Sequence, residues 1–395
     1  MRVVKALQSR LFALGLPLCW LQLIGEKKRF LTAVTGVTFA VTLMLYQLGI
    51  YDAVFTKVVL PHQALRGELV MISRDYNNLY SNAPFSRRRL TQALSDPDVV
   101  AVAPLMVGYA DLRNPASLQN KKIAVFGFRL DQNPFALPAI SAQLDALKNP
   151  EVGLFDARSQ NDFGPVREQL ARQGEVRTEL NHRRFFLRGL FPMGGTISAA
   201  GHLVLSEPGF CRVFPERSPA LINVGMIQLR SGADPFGVGA RLRARLPTEV
   251  SIVSRETFIA DEKEYWQKRS PIAFIFLGTM LVAMLVGSVI VYQILYTDVS
   301  DHLREYATLK AIGLADRFFI TLVLQQAAIL LAFGFVPGLL LTAVLNAITR
   351  RQGAMPTQLT WSTTLIVFAC TVVMCGVAAL LSTRKLRRAD PADVF

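Results

Sequence analysis

TDVSDHLREYATLKAIGLADR, residues 297–317, is a short charged stretch between two long uncharged runs. Neither Pro271–Thr297 before it nor Phe318–Thr349 after it contains an Asp, Glu, Lys or Arg. Apolar runs of about 18–20 residues or more read as membrane spans. Asp298–Arg317 is therefore expected to be a tight connection on one face of a bilayer, at 298–317. Within it Leu303, Tyr306, Ala307 and Lys310 recur at the i, i+3, i+4, i+7 spacing that puts them on one helix face. Gly313 supplies a helix stop, and Asp316 is expected to cap the following span. The stretch is too short for a domain and has the form of a docking element. A solvated connector is the plainer alternative.

The rest of the composition supports a membrane protein. The chain has 395 residues, 51% of them hydrophobic and 18% charged, with a mean hydropathy of +0.33. The apolar residues concentrate in blocks at Phe30–Tyr51, Pro271–Thr297, Phe318–Thr349 and Ser362–Thr383. The net charge of +14 raises the question of nucleic acid, but its placement answers it. Six Lys/Arg precede Phe30 against Glu26 alone, and Arg384, Lys385, Arg387 and Arg388 follow the last block. Basic flanks of this kind mark the cytoplasmic side of spans. Residues 51–270 hold 28 Lys/Arg and 22 Asp/Glu, only +6 in all, so no nucleic-acid partner is expected. The 4 cysteines and 4 histidines have no metal or redox spacing.

In chain order, residues 1–29 read as a cytoplasmic interfacial helix with Trp20 at headgroup depth, followed by a first span at 30–51. That span begins as an uncleaved anchor rather than a signal peptide. Ala33, Gly36 and Ala40 form a small-residue stripe suited to close helix packing or a dimer interface, as do Gly334, Pro337 and Gly338 in the third span. Pro337 should also kink its helix. Residues 52–270 form a large α+β domain. Strands are expected at Glu68–Ser73, Val99–Val107, Lys122–Phe128, Ile222–Leu229 and Val250–Val253. Helices are expected at Phe85–Leu94, capped by Ser86, and at Pro235–Leu246, capped by Asp234. These halves suggest a ferredoxin-like split βαβ arrangement. A subdomain with its own short strands, such as Ala200–Leu205, is inserted at about 134–219. A helix over Arg255–Ser270 leads to spans at 271–297, 318–349 and 362–383. A turn at 350–361 joins the last two, and a cytoplasmic tail occupies 384–395. The fold class is thus an α-helical membrane protein with four transmembrane helices and a large α+β domain between helices 1 and 2. Both termini are expected to be cytoplasmic and 52–270 periplasmic, in a multi-pass protein of the plasma (inner) membrane.

No P-loop, GxGxxG, GxSxG or CxxC motif occurs, and the span interiors lack the ionisable residues that ion-coupled transport needs. No catalytic residue, cofactor or metal is expected. At this point LREYATLKAIGLADRFF resembles the cytoplasmic loop of the FtsX/MacB-like superfamily of ABC-transporter permeases, where a REIGILKAIGA-like stretch docks on the ATPase. The tail RKLRRADPADVF is similar to that family's ending. PLCWLQLIGEKKRFLTAVTGVTFAVTLMLYQLGIYDAVF and LVMISRDYNNLYSNAPFSRRRL look like the DevC-type permeases of cyanobacterial glycolipid exporters. The resemblance implies a homodimer embedded in membrane lipids, a separate ATPase chain, a periplasmic adaptor and a TolC-like outer-membrane duct. It further implies export of a lipid-like or other envelope substrate by mechanical transmission. Asp301, Leu303, Arg304, Glu305, Tyr306, Leu309, Lys310 and Gly313 would be the ATPase-coupling residues. An FtsX-like regulator of a periplasmic hydrolase is the second reading, and a membrane-anchored sensor without an ATPase the third.

Overall fold

A computed structural model describes Trp20, residues 26–269, 271–311, 314–351, Thr357 and residues 359–388. Most of the interfacial helix expected at 1–29 lies outside the described residues. So do Ser270, Gly313, half of the 350–361 turn and the end of the basic tail. The chain divides into a helical unit, residues 1–53 and 273–395, and an α/β unit, Val54–Ile272.

Among the described residues four helices are long and apolar enough to cross a membrane. They run over Lys27–Val58, Pro271–Asp301, Asp316–Arg351 and Trp361–Arg388. Each extends past the uncharged block that predicts it, because helical hydrogen bonding does not end where the apolar run ends. Small residues bring these helices together. A Cβ on Gly36 would lie 2.5 Å from the Ile290 side chain, on Gly334 2.5 Å from Val37, and on Gly338 2.7 Å from Val41. Ala33 and Ala40 are buried, whereas Pro337 is exposed on a helix that continues through it. The Thr38 hydroxyl donates to the Gly334 carbonyl at 3.2 Å and that of Thr42 to the Gly338 carbonyl at 3.4 Å. Gly36, Gly334 and Gly338 are thus occupied by packing within the chain.

The α/β unit is built on one mixed sheet of 9 strands: β1 Leu69–Ser73, β3 Val99–Arg113, β4 Asn120–Phe128, β5 Val152–Asp156, β6 Val176–Leu180, β7 Arg183–Phe191, β8 His202–Ser206, β10 Val224–Leu229 and β11 Val250–Ser254. Their order across the sheet is β11-β1-β10-β3-β4-β8-β5-β7-β6. A small second sheet pairs β2, Phe85–Ser86, with β9, Leu221–Ile222. The segment from β5 to β8 does not form the separate inserted subdomain that the sequence suggests. β8 pairs in parallel with β4, so the inserted strands extend the same sheet. β5 and β8 are buried on both faces, as strands inside a mixed sheet require. Helix Arg87–Gln92 replaces the expected Phe85–Leu94; Ser86 sits at its start without a side-chain cap bond, and a 3-10 turn follows at Ala93–Ser95. The helix Pro235–Arg245 is capped as expected, Asp234 accepting from the backbone N–H groups of Phe236 and Gly237.

The packing of the helical unit predicts that Gly334→Leu overpacks against Val37 and costs about 1–3 kcal/mol. Gly278→Leu, whose Cβ would meet nothing within 4 Å, should be neutral. Thermal unfolding of the full chain in detergent checks this; equal stability of the two variants would refute the described packing.

Candidate coupling site

The 298–317 connection contains a helix, Leu303–Ala311, as its spacing requires. It follows the preceding long helix almost without interruption. The His302 N–H bonds to the Asp298 carbonyl at 3.2 Å, and the Tyr306 N–H to the His302 carbonyl at 3.0 Å. A helix of nine residues is too short to cross a bilayer, so it is stable here through the face it buries. Tyr306 and Ala307 are buried, and Leu303, Leu309 and Lys310 are half-buried. The Tyr306 ring meets Phe319 edge-on at 5.7 Å and joins an apolar cluster with Val299, Leu322 and Val323.

The expected coupling residues therefore fall on two faces. Leu303, Tyr306, Leu309 and Lys310 seat the helix on its own chain. Arg304 and Glu305 are exposed, together with Thr308, which the sequence reading did not single out. Asp301 is tied to the first long helix, its carboxylate lying 2.8 Å from Arg29, which also holds Glu26 at 2.6 Å. Gly313 lies outside the described residues. Asp316 does not take the cap role: it is already in the first helical turn, where the Phe318 N–H bonds to the Ala315 carbonyl at 2.9 Å. Its carboxylate instead pairs with Lys310 at 3.3 Å, and its charge suits a helix N-terminus.

Sequence reasoning also missed Asp298. A span boundary drawn at the first charge makes it a solvated loop residue, but the helix continues to Asp301 and leaves Asp298 only 5% exposed. Its carboxylate accepts from Gln326 Nε2 at 2.7 Å, and His302 Nδ1 lies 3.7 Å from its other oxygen. The available signal was Gln325-Gln326 in an otherwise apolar run, since an amide at that depth needs a polar partner.

A second polar knot lies in the α/β unit, in the two segments that adjoin the long helices. Leu60–Gln63 follows the first of them, and Arg255–Lys268 precedes the second. Glu262, buried on the latter, has His62 Nε2 at 3.1 Å and accepts from the Tyr76 hydroxyl at 2.8 Å and the Leu79 N–H at 3.0 Å. Its other oxygen accepts from Trp266 Nε1 at 3.0 Å. Burial opposes ionisation of this carboxyl, but the hydrogen bond and charge of His62, with the bonds from Trp266 and Tyr76, outweigh it and hold its pKa below the ordinary value. Burial and the same carboxylate push the Tyr76 hydroxyl well above its usual range. His62 and Glu262 are too far apart in sequence to form a motif.

Residues 277–391 match the family model described as FtsX-like permease C-terminal, a stretch that includes the whole connector. An uncharacterized ABC transporter permease of Mycobacterium tuberculosis is 22% identical over 378 residues, covering 94% of this chain and 96% of its own. Another from Mycobacterium bovis is 21% identical with the same coverage. Among solved structures, the periplasmic region of MacB from Actinobacillus actinomycetemcomitans is similar with a TM-score of 0.31 at 10% identity, over 51% of this chain and 95% of that one. The extracellular domain of the ABC-type transporter YknZ from Gram-positive bacteria gives 0.32 at 15% identity, over 47% and 98%.

The Glu262 knot predicts an acid-dependent stability. A carboxyl whose pKa is depressed on folding stabilises the fold above the ordinary Glu value of 4.5, and that contribution is lost as pH falls through the folded value. Glu262→Gln should cost about 1–3 kcal/mol at pH 7 and flatten the loss of stability below pH 4.5. Denaturant unfolding of the full chain between neutral and acid pH measures both, and parallel pH profiles for wild type and variant would contradict the assignment.

Proposed function

We propose that this chain is the permease subunit of an ABC exporter of the FtsX/MacB-like type, driven by a separate ATPase that docks on the connector helix. The observation that carries the reading is the division of that helix into a seated face and an exposed one. Residues 277–391, which match the FtsX-like permease C-terminal, contain it. Arg304, Glu305 and Thr308 stand on the exposed face and offer a cation, an anion and a hydroxyl to a protein partner. Such a mixed polar patch suits specific, reversible docking better than permanent burial.

In this reading the connector and both termini are cytoplasmic, the four long helices span the inner membrane, and the α/β unit is periplasmic. The two segments joined through Glu262 and His62 carry helix motion into that unit. The chain works as a homodimer with a periplasmic adaptor and a TolC-like duct, and it exports a lipid-like envelope substrate as DevC-type permeases do. The ATPase performs the hydrolysis; the permease transmits motion.

The docking face is tested by charge reversal. Glu305→Arg and Arg304→Glu should leave the protein in the membrane at normal levels. They should reduce the permease-dependent stimulation of the partner ATPase by about tenfold or more, the loss expected for charges displaced at an interface. ATPase stimulation that persists unchanged in both variants would show that the partner engages elsewhere.

A further inference from the structure

A groove of about 350 Å³ opens in the α/β unit between the ends of β1 and β11 and the helix Arg255–Lys268. Its walls carry charges of both signs. The Arg74 guanidinium has no hydrogen-bond or ion-pair partner among the described residues, and neither has the Asp261 carboxylate. Glu264, by contrast, is held by Lys268 at 2.8 Å, and Arg269 reaches the Asn77 side-chain oxygen at 3.5 Å. Burial and then the neighbouring Glu264 raise the pKa of Asp261, an environment in which a bound cation would relieve the carboxylate.

The groove also has a fixed place along the chain. Arg269 precedes Pro271, the first residue of the second long helix, by two positions. At about 3.3–3.6 Å per residue, its Cα lies within roughly 7 Å of the start of that helix. If the long helices cross a bilayer, the groove borders the lipid headgroups, whatever drives the protein from the other side.

We propose that this groove binds the headgroup of a zwitterionic phospholipid bearing a primary amine, phosphoethanolamine in chemistry, with the phosphate on Arg74 and Arg269 and the ammonium on Asp261. A guanidinium matches phosphate oxygens with paired N–H donors. A primary ammonium has three N–H donors for a carboxylate, whereas a quaternary one favours an aromatic cage; of the two tyrosines lining the groove, Tyr76 is already bonded to Glu262 and packed on Phe258, which leaves Tyr265 without a second wall. The pairing of an open cation with an open anion therefore favours phosphatidylethanolamine over phosphatidylglycerol, which lacks the amine, and over phosphatidylcholine, which lacks the N–H donors.

Native mass spectrometry of the full chain in detergent, titrated separately with these three lipids, reads the preference. Wild type should bind phosphatidylethanolamine about tenfold more tightly than the other two, the effect of one charge-assisted hydrogen bond. Asp261→Asn should abolish that preference, and Arg74→Gln should weaken phosphatidylethanolamine binding by about the same factor. Both positions are exposed, so the variants should fold, and an unchanged melting temperature verifies it. Equal binding of the three lipids by wild type, or a preference that survives Asp261→Asn, would overturn the proposal.

Discussion

Tyr306 packed edge-on against Phe319 is the contact on which the connector helix depends. A helix of nine residues gains little from its own hydrogen bonds. With Tyr306 buried, every other position follows from the helical period. Ala307 goes inward beside it, Leu303 and Lys310 flank it, and Arg304, Glu305 and Thr308 are left outside. The exposed polar face is thus a consequence of the anchoring face. The bonds from Arg29 to Asp301, from Gln326 to Asp298 and from Lys310 to Asp316 fasten both ends of the connection to three of the long helices.

Polar fasteners recur where packing alone is non-directional. Apolar contacts in the helical unit tolerate sliding, because one lipid-like surface is as good as another. Small residues remove that freedom by letting backbones approach. Thr38 and Thr42, bonded to the carbonyls of Gly334 and Gly338, then set the register of the first and third long helices. In the α/β unit Glu262 acts similarly. A buried carboxylate is costly unless its oxygens are satisfied, and here they take bonds from Tyr76, Leu79 and Trp266 as well as the His62 contact. Moving either of the other two segments alone would strip the carboxylate of part of its hydrogen bonding.

The four long helices and the connector helix were legible because charge gaps and helical spacing are local signals. The cap at Asp234 was legible for the same reason. The single sheet was not. β5, β6 and β8 are only 5 residues each and are separated by Pro- and Gly-rich turns, so the sequence suggested a separate subdomain. What unites them is the parallel pairing of β4 with β8, between Ala124 and His202 at one end and Phe128 and Ser206 at the other, a contact between distant segments. Asp298 and Glu262 were missed for a related reason. Each is an ordinary acid in sequence, and only its partner, Gln326 or His62, reveals that it is buried.

In the proposed role those two acids stand near opposite ends of the second long helix. Asp298 lies at the end of a long helix, just before the connector helix. Glu262 lies in the helix whose last residue, Lys268, stops three positions short of that same long helix at Pro271. A lever needs rigid joints at its two ends and a stiff member between them. A hydrogen-bonded buried carboxylate is a stiff joint because its geometry cannot relax without exposing an unpaired charge. The member between is a continuous helix from Pro271 to Asp301 with no proline inside it, and its backbone bonds resist bending.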